Sequence, residues 1–427
     1  MPSNSASDPG RPRGRASLPR AGWAVAFATV GVFMGIGVVS PILPSVSAEL
    51  GGSPAQASLL FTSYMAVMGL AMVVTGWVSS RIGARATLLI GLSLIALAAV
   101  GSSTSRSLEQ IIGFRAGWGL GNALFVATAL AAIVATMPGQ RSRAITCYEA
   151  AVGAGIATGP LLGGLLGQIS WRAAFLGSAA LVALSFVVLV AVLPRTPRAS
   201  EPTAITAPFR ALAHRGLFSI AAVSLLYHLG LFSLFSYGPF VLGFSPIRTG
   251  FIFSGWGACL VFASVVAAPR LRTSRGAVPT VAAALVLFAA TLALVAVFTD
   301  NRAVVTTCIV VSGLFVGLLN VLVTEIGMHV SPVDGATAAA SYSFVRFGGG
   351  ACAPWLAGWL GEATNAHVPF AAAAGASALG LGALAFGRRS LPERPGPRSS
   401  GRRRRGRRKP TEGAAIAPAA ASSTIQA

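Results

Sequence analysis

Runs of about 20 apolar residues recur along this chain too often for a water-soluble core to hold them. They lie at Trp23 to about Ile42, then near 59–79, 86–104, 110–136, 144–168, 172–193, 217–242, 250–269, 277–298, 303–328, 336–360 and 368–387. Each is long enough to cross a bilayer as a helix, at 1.5 Å per residue. A spanning segment must satisfy its backbone internally, which lipid permits only to helices and closed barrels. The first run is too long for a signal-peptide core and has no convincing cleavage site, so it reads as an uncleaved helix. Composition agrees, with 54% hydrophobic residues, 10% charged residues and 50 glycines among 427. The expected fold class is an all-α integral membrane protein of twelve transmembrane helices.

Charge orients the spans. With both termini in the cytoplasm, the loops and ends on that side carry 26 of the Arg and Lys residues, against Arg106, Arg172, Arg248 and Arg302 opposite. Basic loops near helix ends resist translocation, so this asymmetry supports twelve spans with both ends inside a plasma membrane. Residues 1–22 and 388–427 are polar and basic and read as disordered. The tail GRRRRGRRKP from Gly401 to Pro410 suits anionic lipid, at about 1 kcal/mol per basic residue near the surface, better than nucleic acid. Cys147, Cys259, Cys308 and Cys352 show no paired spacing, so neither a disulfide framework nor a metal site is indicated. No phosphate-cradling loop, nucleophile elbow or cofactor motif is present, which argues against an ATP-driven pump or an enzyme.

The chain divides in two. A segment at 194–216, holding Pro194, Pro197, Pro202 and Pro208, separates a bundle at 23–193 from another at 217–387. The halves repeat. Ser53-Pro54 and Phe61 to Tyr64 match Ser245-Pro246 and Phe253 to Trp256 at an offset of 192, and Pro160, Gly164 and Gly167 match Pro354, Gly358 and Gly361 at 194. Two parallel six-helix repeats are an architecture of secondary transporters, with the binding site near the midplane between them.

Within the fifth span, Gly155, Gly159, Gly163 and Gly167 form a stripe that lets a neighbouring helix approach closely, and Pro160 is expected to bend the helix. Glu149 points within roughly 60° of that stripe. A charge at the bilayer centre costs about 2.5–3.5 kcal/mol on insertion scales, so Glu149 is expected to face a bundle or cavity. Few other ionisable groups lie in the spans, namely Arg115, His228, Glu325 and Arg346. Each has two readings. Glu149 either binds and releases a proton or locks the bundle by pairing. Arg115 shares a helix face with Asn122 and is a functional cation or interhelix glue; Arg346 shares one with Tyr342, Gly350, Pro354 and Gly358 and pairs with a carboxylate or binds an anionic substrate group. Glu325, near a helix end with His329 one turn on, is a proton site or a solvated pair. Tyr227, His228, Tyr237, Asn320 and Thr324 are candidates to line a substrate cavity, with hydrogen bonding or helix packing as the plainer alternative.

Three motifs carry a family resemblance. GIATGPLLGG at Gly155 to Gly164, GWVSSRIGARATLLIG at Gly76 to Gly91 and FRAGWGLGNA at 114–123 resemble motifs of the major facilitator superfamily, and within it the twelve-helix drug:proton antiporters. Gly76, Arg81, Gly83 and Arg85 match the loop between spans 2 and 3, while Ser80 stands where the family carries an aspartate and Ala84 at a second basic position. Arg115, Gly119 and Gly121 match the span-4 motif, with Trp118 in place of its glutamine. The resemblance implies gating and packing roles for the loop and glycine motifs, and help in proton transfer from Arg115. It also implies export of a small amphipathic compound in exchange for protons, by a monomer needing no cofactor. A proton on Glu149 would then change its pairing with Arg115 or Arg346. An importer or metabolite exporter on the same fold, and a membrane sensor that binds without transport, are the alternatives.

Overall fold

The computed structural model describes residues 19–137, 141–194, 207–330 and 341–390. The expected terminal segments before 19 and after 390, most of the central linker and the first residues of the eleventh span lie outside them. Among the described residues eleven helices are long and apolar enough to cross a membrane. The first span joins α1 (Arg20–Gly37) to α2 (Val39–Leu50), and α2 runs past the apolar stretch to end at Gly51. Spans 2 to 6 are α3 (Pro54–Ile82), α4 (Ala84–Thr104), α5 (Leu108–Ala135), α6 (Arg141–Gly167) and α7 (Trp171–Val192). A short α8 (Ala207–Leu212) precedes α9 (Arg215–Leu242), the seventh span. The eighth runs from α10 (Pro246–Phe262) through a π-helical stretch to α11 (Ala268–Arg275), and α12 (Ala277–Val297) and α13 (Arg302–Val330) follow. The eleventh joins a π-helical stretch, Phe344–Gly349, to α14 (Cys352–Ala363), and α15 (Val368–Gly387) is the twelfth. Pro160 is accommodated inside continuous helix.

The repeat is visible in backbone conformation. Among the described residues the glycines with positive φ are Gly51 and Gly243, at 67° and 57°, and Gly83 and Gly276, both at 89°. They form two pairs across the halves, ending spans 1 and 7 and linking spans 2 to 3 and 8 to 9. A side chain is disfavoured at such angles, so these turns require glycine. Ser53 then caps α3, accepting from the Gln56 backbone N–H at 3.2 Å while the Gln56 side chain accepts from Ser53 N–H at 2.9 Å. Pro54 and Pro246 occupy the first turns of α3 and α10, where a missing N–H is harmless.

Buried apolar side chains form two clusters. One runs from Ala24 to Leu193 and takes in Phe232, Ala351 and Ala353; the other runs from Ile220 to Leu384. The halves meet along two seams made of the repeated motifs. On one, α6 packs on α10: a Cβ at Gly164 would stand 3.0 Å from the Gly250 Cα, and one at Gly250 would stand 2.6 Å from the Pro160 carbonyl oxygen. On the other, α14 packs on α3, with Gly358 against Pro54 and Ala55. The Pro–Gly motif of each half thus lies against the Ser–Pro helix start of the other. The opposite face of α6, at Gly155, Gly159 and Gly163, takes the backbone of the first span from Val30 to Val38.

Twelve crossings place Arg20 and Gly387 on one side of the bundle, here termed the terminal side. Hydrogen bonds between the halves gather toward the distal side. Ser40 Oγ donates to the Phe235 carbonyl at 3.0 Å, Ala55 N–H to Glu362 Oε1 at 2.6 Å, and Trp355 N–H to Thr62 Oγ1 at 3.3 Å.

Candidate functional site

Spans 7, 10 and 11 build one polar cluster from residues far apart in sequence. Arg346, in the π-helical stretch, donates from Nε to His228 Nε2 at 2.7 Å and from Nη2 to Asn320 Oδ1 at 3.2 Å. Tyr227 Oη donates to the same Asn320 oxygen at 2.9 Å. His228 Nδ1 lies 2.8 Å from the Ser224 carbonyl oxygen, which can only accept. These partners fix the tautomer: the proton is on Nδ1, Nε2 accepts from Arg346, and the ring is neutral. Tyr342 Oη accepts from Ser224 Oγ at 3.0 Å and Thr324 Oγ1 at 3.3 Å, extending the network toward the terminal side. Five sequence candidates, Tyr227, His228, Asn320, Thr324 and Arg346, therefore share one network. Tyr227 and His228 are fully buried, and Arg346 is half-buried.

Glu149 faces this cluster from the other half. The other exposed residues of α6, Ala150, Ala154, Thr158 and Leu165, point outward together. At about 100° per residue, Glu149 stands roughly 145° from their mean direction. It points between the face that meets the first span and the face that meets α10, yet it is exposed. The space between the halves therefore reaches this residue. The Arg346 guanidinium acts electrostatically on both Glu149 and the neighbouring Tyr148. Glu149 is not within ion-pair distance of Arg346: among the described residues such pairs are Glu49–Arg172 and Glu325–Arg272.

A second polar group lies wholly in the first half. Arg115 is fully buried, with its guanidinium 4.4 Å from the Tyr64 ring centre and 4.8 Å from that of Trp118. Nε donates to the Leu60 carbonyl at 3.3 Å, while Nη1 and Nη2 find no partner among the described residues. Asn122 Nδ2 donates to Tyr64 Oη, so the face shared by Arg115 and Asn122 is organised by one tyrosine. Gly119 makes this possible, since a Cβ there would run into the Tyr64 backbone oxygen. Trp118 fills the space left by Gly35 of the first span.

The remaining candidates lie elsewhere. Glu325 pairs with Arg272 of α11, and His329 Nδ1 meets the Glu325 carbonyl oxygen instead of its carboxylate. Tyr237 packs on Phe240 and Phe370 near the distal end, with its hydroxyl where a Cβ of Gly361 would stand. In the loop motif, Gly83 makes the positive-φ turn, Arg81 lies over the Trp77 ring, and Arg85 Nη2 donates to the Val190 carbonyl at 2.7 Å, tying span 3 to span 6. Gly76 lies in the terminal half of α3. Sequence reasoning missed Tyr64 and Ser224 as parts of the two polar groups; their proximity to Arg115 and His228 depends on helix packing and carried no sequence signal beyond Tyr64's place in the repeat.

Comparison with known proteins agrees with this fold. The Major Facilitator Superfamily profile matches residues 25–353 and, in an overlapping match, 241–422. The multidrug efflux protein YfmO of Bacillus subtilis is 44% identical over 84% of this chain and 90% of its own length. The tetracenomycin C resistance and export protein of Streptomyces glaucescens is 31% identical over 43% of this chain and 35% of its own. Among solved structures, a D-xylose–proton symporter superposes with a TM-score of 0.72 over 88% of this chain and 99% of that one, at 16% identity. A bacterial homologue of the human lysosomal transporter Spinster gives 0.67 over 88% and 96%, at 17%. With twelve helices in two repeats, the chain belongs to the major facilitator superfamily and is a multi-pass membrane transporter of small molecules.

Proposed function

We propose that this transporter exports small amphipathic compounds in exchange for protons, with Glu149 carrying the exchanged proton. The observation that carries the reading is the position of Glu149, exposed on the inward face of α6 and acted on by Arg346 of the other half. A carboxylate on a wall between two moving halves binds a proton from one side and releases it to the other as access alternates. Its charge changes the attraction across the halves, and so the balance between conformations. The drive is adequate, since one charge crossing 100 mV is worth about 2.3 kcal/mol. Export is favoured by the likeness to YfmO, a multidrug efflux protein. Arg115 contributes a fixed positive charge near the distal end of the path, as its family motif implies.

In this reading both termini are cytoplasmic, the membrane is the plasma membrane, the unit is a monomer, and the basic tail rests on anionic lipid. The distal hydrogen bonds between the halves then close the outer side while Glu149 is reached from the inner side. The test is proton movement in inside-out vesicles, followed with a pH-sensitive dye on adding amphipathic compounds. A compound that dissipates the gradient with the parent protein and not with Glu149→Gln supports exchange through Glu149. Equal flux in both assigns Glu149 a structural task, and flux of opposite sign overturns export.

A further inference from the structure

Glu149, on the inward face of α6, and Arg346, on the other half, are opposite charges that act on each other and form no ion pair. Glu149 is exposed on the inward face of α6, and no hydrogen bond to its carboxylate is found among the described residues. Arg346 does not swing across to it, because Nε is engaged by His228 and Nη2 by Asn320. That anchoring holds the guanidinium as a fixed cation. Among the described residues its hydrogen-bond network brings no compensating charge: His228 is neutral in this arrangement, and Asn320, Tyr227 and Tyr342 are neutral polar groups. Arg115 belongs to the separate polar group of the first half, fully buried against the rings of Tyr64 and Trp118. The aromatic wall beside Arg346 is supplied by Phe347, whose ring centre lies 4.9 Å from the guanidinium carbon; Tyr148 is buried in the first half, its hydroxyl donating to the Val126 carbonyl at 3.4 Å.

Resting on the reading of the space between the halves as the transport site, we infer that it is a two-charge site for an amphipathic zwitterion, with the ligand's ammonium on Glu149 and its carboxylate on Arg346. A purely cationic ligand would satisfy Glu149 and leave its charge facing Arg346; a purely anionic one would do the reverse. Each would strand one protein charge in a space it has helped to dehydrate. A zwitterion satisfies both charges and keeps an apolar body for the aromatic wall. Discrimination therefore arises from the group left unpaired as much as from the contacts made.

The test uses three fluorescent probes that share one apolar body: Nε-dansyl-lysine, a zwitterion; its methyl ester, a cation; and its Nα-acetyl derivative, an anion. Binding to the purified full-length protein in detergent is followed by dansyl emission at neutral pH. The parent is expected to bind the zwitterion about 10-fold or more tighter than either derivative, the scale of one charge-assisted hydrogen bond. Glu149→Gln should weaken the zwitterion and the ester and spare the acetyl derivative. Arg346→Gln should weaken the zwitterion and the acetyl derivative and spare the ester. The inference is overturned if the parent binds the zwitterion no better than its derivatives, or if either variant affects all three probes alike. The parent series decides without any variant, should Arg346→Gln fail to fold. Proton flux in proteoliposomes separates the two readings: the crossed binding pattern without flux keeps this site and overturns exchange, whereas flux without the pattern overturns the zwitterion site alone.

Discussion

Arg115 and Arg346 are both arginines set inside a helix bundle, and the protein holds them by opposite means. Arg115 is fully buried between two aromatic rings, with one hydrogen bond from Nε and no partner for its outer nitrogens among the described residues. Arg346 is half-buried and donates to two acceptors, His228 and Asn320, that themselves belong to a wider network. Ring faces attract a cation but leave its hydrogens unmatched, at about 2 kcal/mol or somewhat more for a dehydrated pair. Acceptors match the hydrogens and fix the direction of the fork. Arg115 is therefore costly where it stands and replaceable in stability terms. Arg346 is structurally integrated through its two acceptors.

The largest test of this contrast lies behind Arg115. Gly119→Val would drive a side chain into the Tyr64 backbone and separate α3 from α5, with an expected loss of about 3 kcal/mol, the upper end of ordinary overpacking. Gly113→Val, where a Cβ meets nothing within 4 Å, is the control and should unfold like the parent in detergent. Next comes the direct exchange. Arg346→Met leaves His228 Nε2 without its donor and should destabilise by about 1–3 kcal/mol. Arg115→Met, which removes a buried charge without a counter-ion, should leave stability unchanged or raise it while lowering proton-coupled flux. If both methionine variants lose stability equally, the contrast fails.

Tyr64→Phe keeps one ring over Arg115 but removes the acceptor used by Asn122, for an expected loss of about 1–2 kcal/mol in thermal unfolding. A loss near zero would show that Asn122 finds another partner.

The smallest effect concerns a cation that does have a carboxylate. At the distal rim Arg172 pairs with Glu49, which also accepts from Trp171 Nε1 at 2.8 Å. The hydrogen bond from Arg172 holds the Glu49 carboxyl below its ordinary range. Because the folded value is depressed, the stabilisation is present above the unfolded value of about 4.3 and is lost as pH falls through the folded one. Both partners are substantially exposed, so Arg172→Gln should cost less than about 1 kcal/mol at neutral pH. Its unfolding curve should merge with the parent's in acid; a gap that persists below the folded value would assign the effect to packing on Trp171.

Much of the candidate site was legible because few polar residues enter the spans, and each stands out against the lipid-phase cost of charge. That reasoning picked out Glu149, Arg115, His228 and Arg346 without knowing their neighbours. It said less about pairing. Glu325 met the same criterion, yet its partner is Arg272, 53 residues away on another helix. Tyr64 was visible only as a repeated residue, although it serves both Arg115 and Asn122.

The sequence by itself determined the spans and the two-fold repeat, because these depend on apolar length and on local turn chemistry. Gly51 and Gly243, and Gly83 and Gly276, mark the same turns in both halves for the reason that their backbone angles exclude side chains. Only the tertiary structure decided which charges meet. Arg346 lies in a π-helical stretch, where one extra residue per turn alters the direction that a regular 100° step would give it, and it reaches His228 and Asn320 from there. Its distance from Glu149 is set by two helices of different halves packing through glycines on other neighbours, and no spacing along the chain encodes that separation.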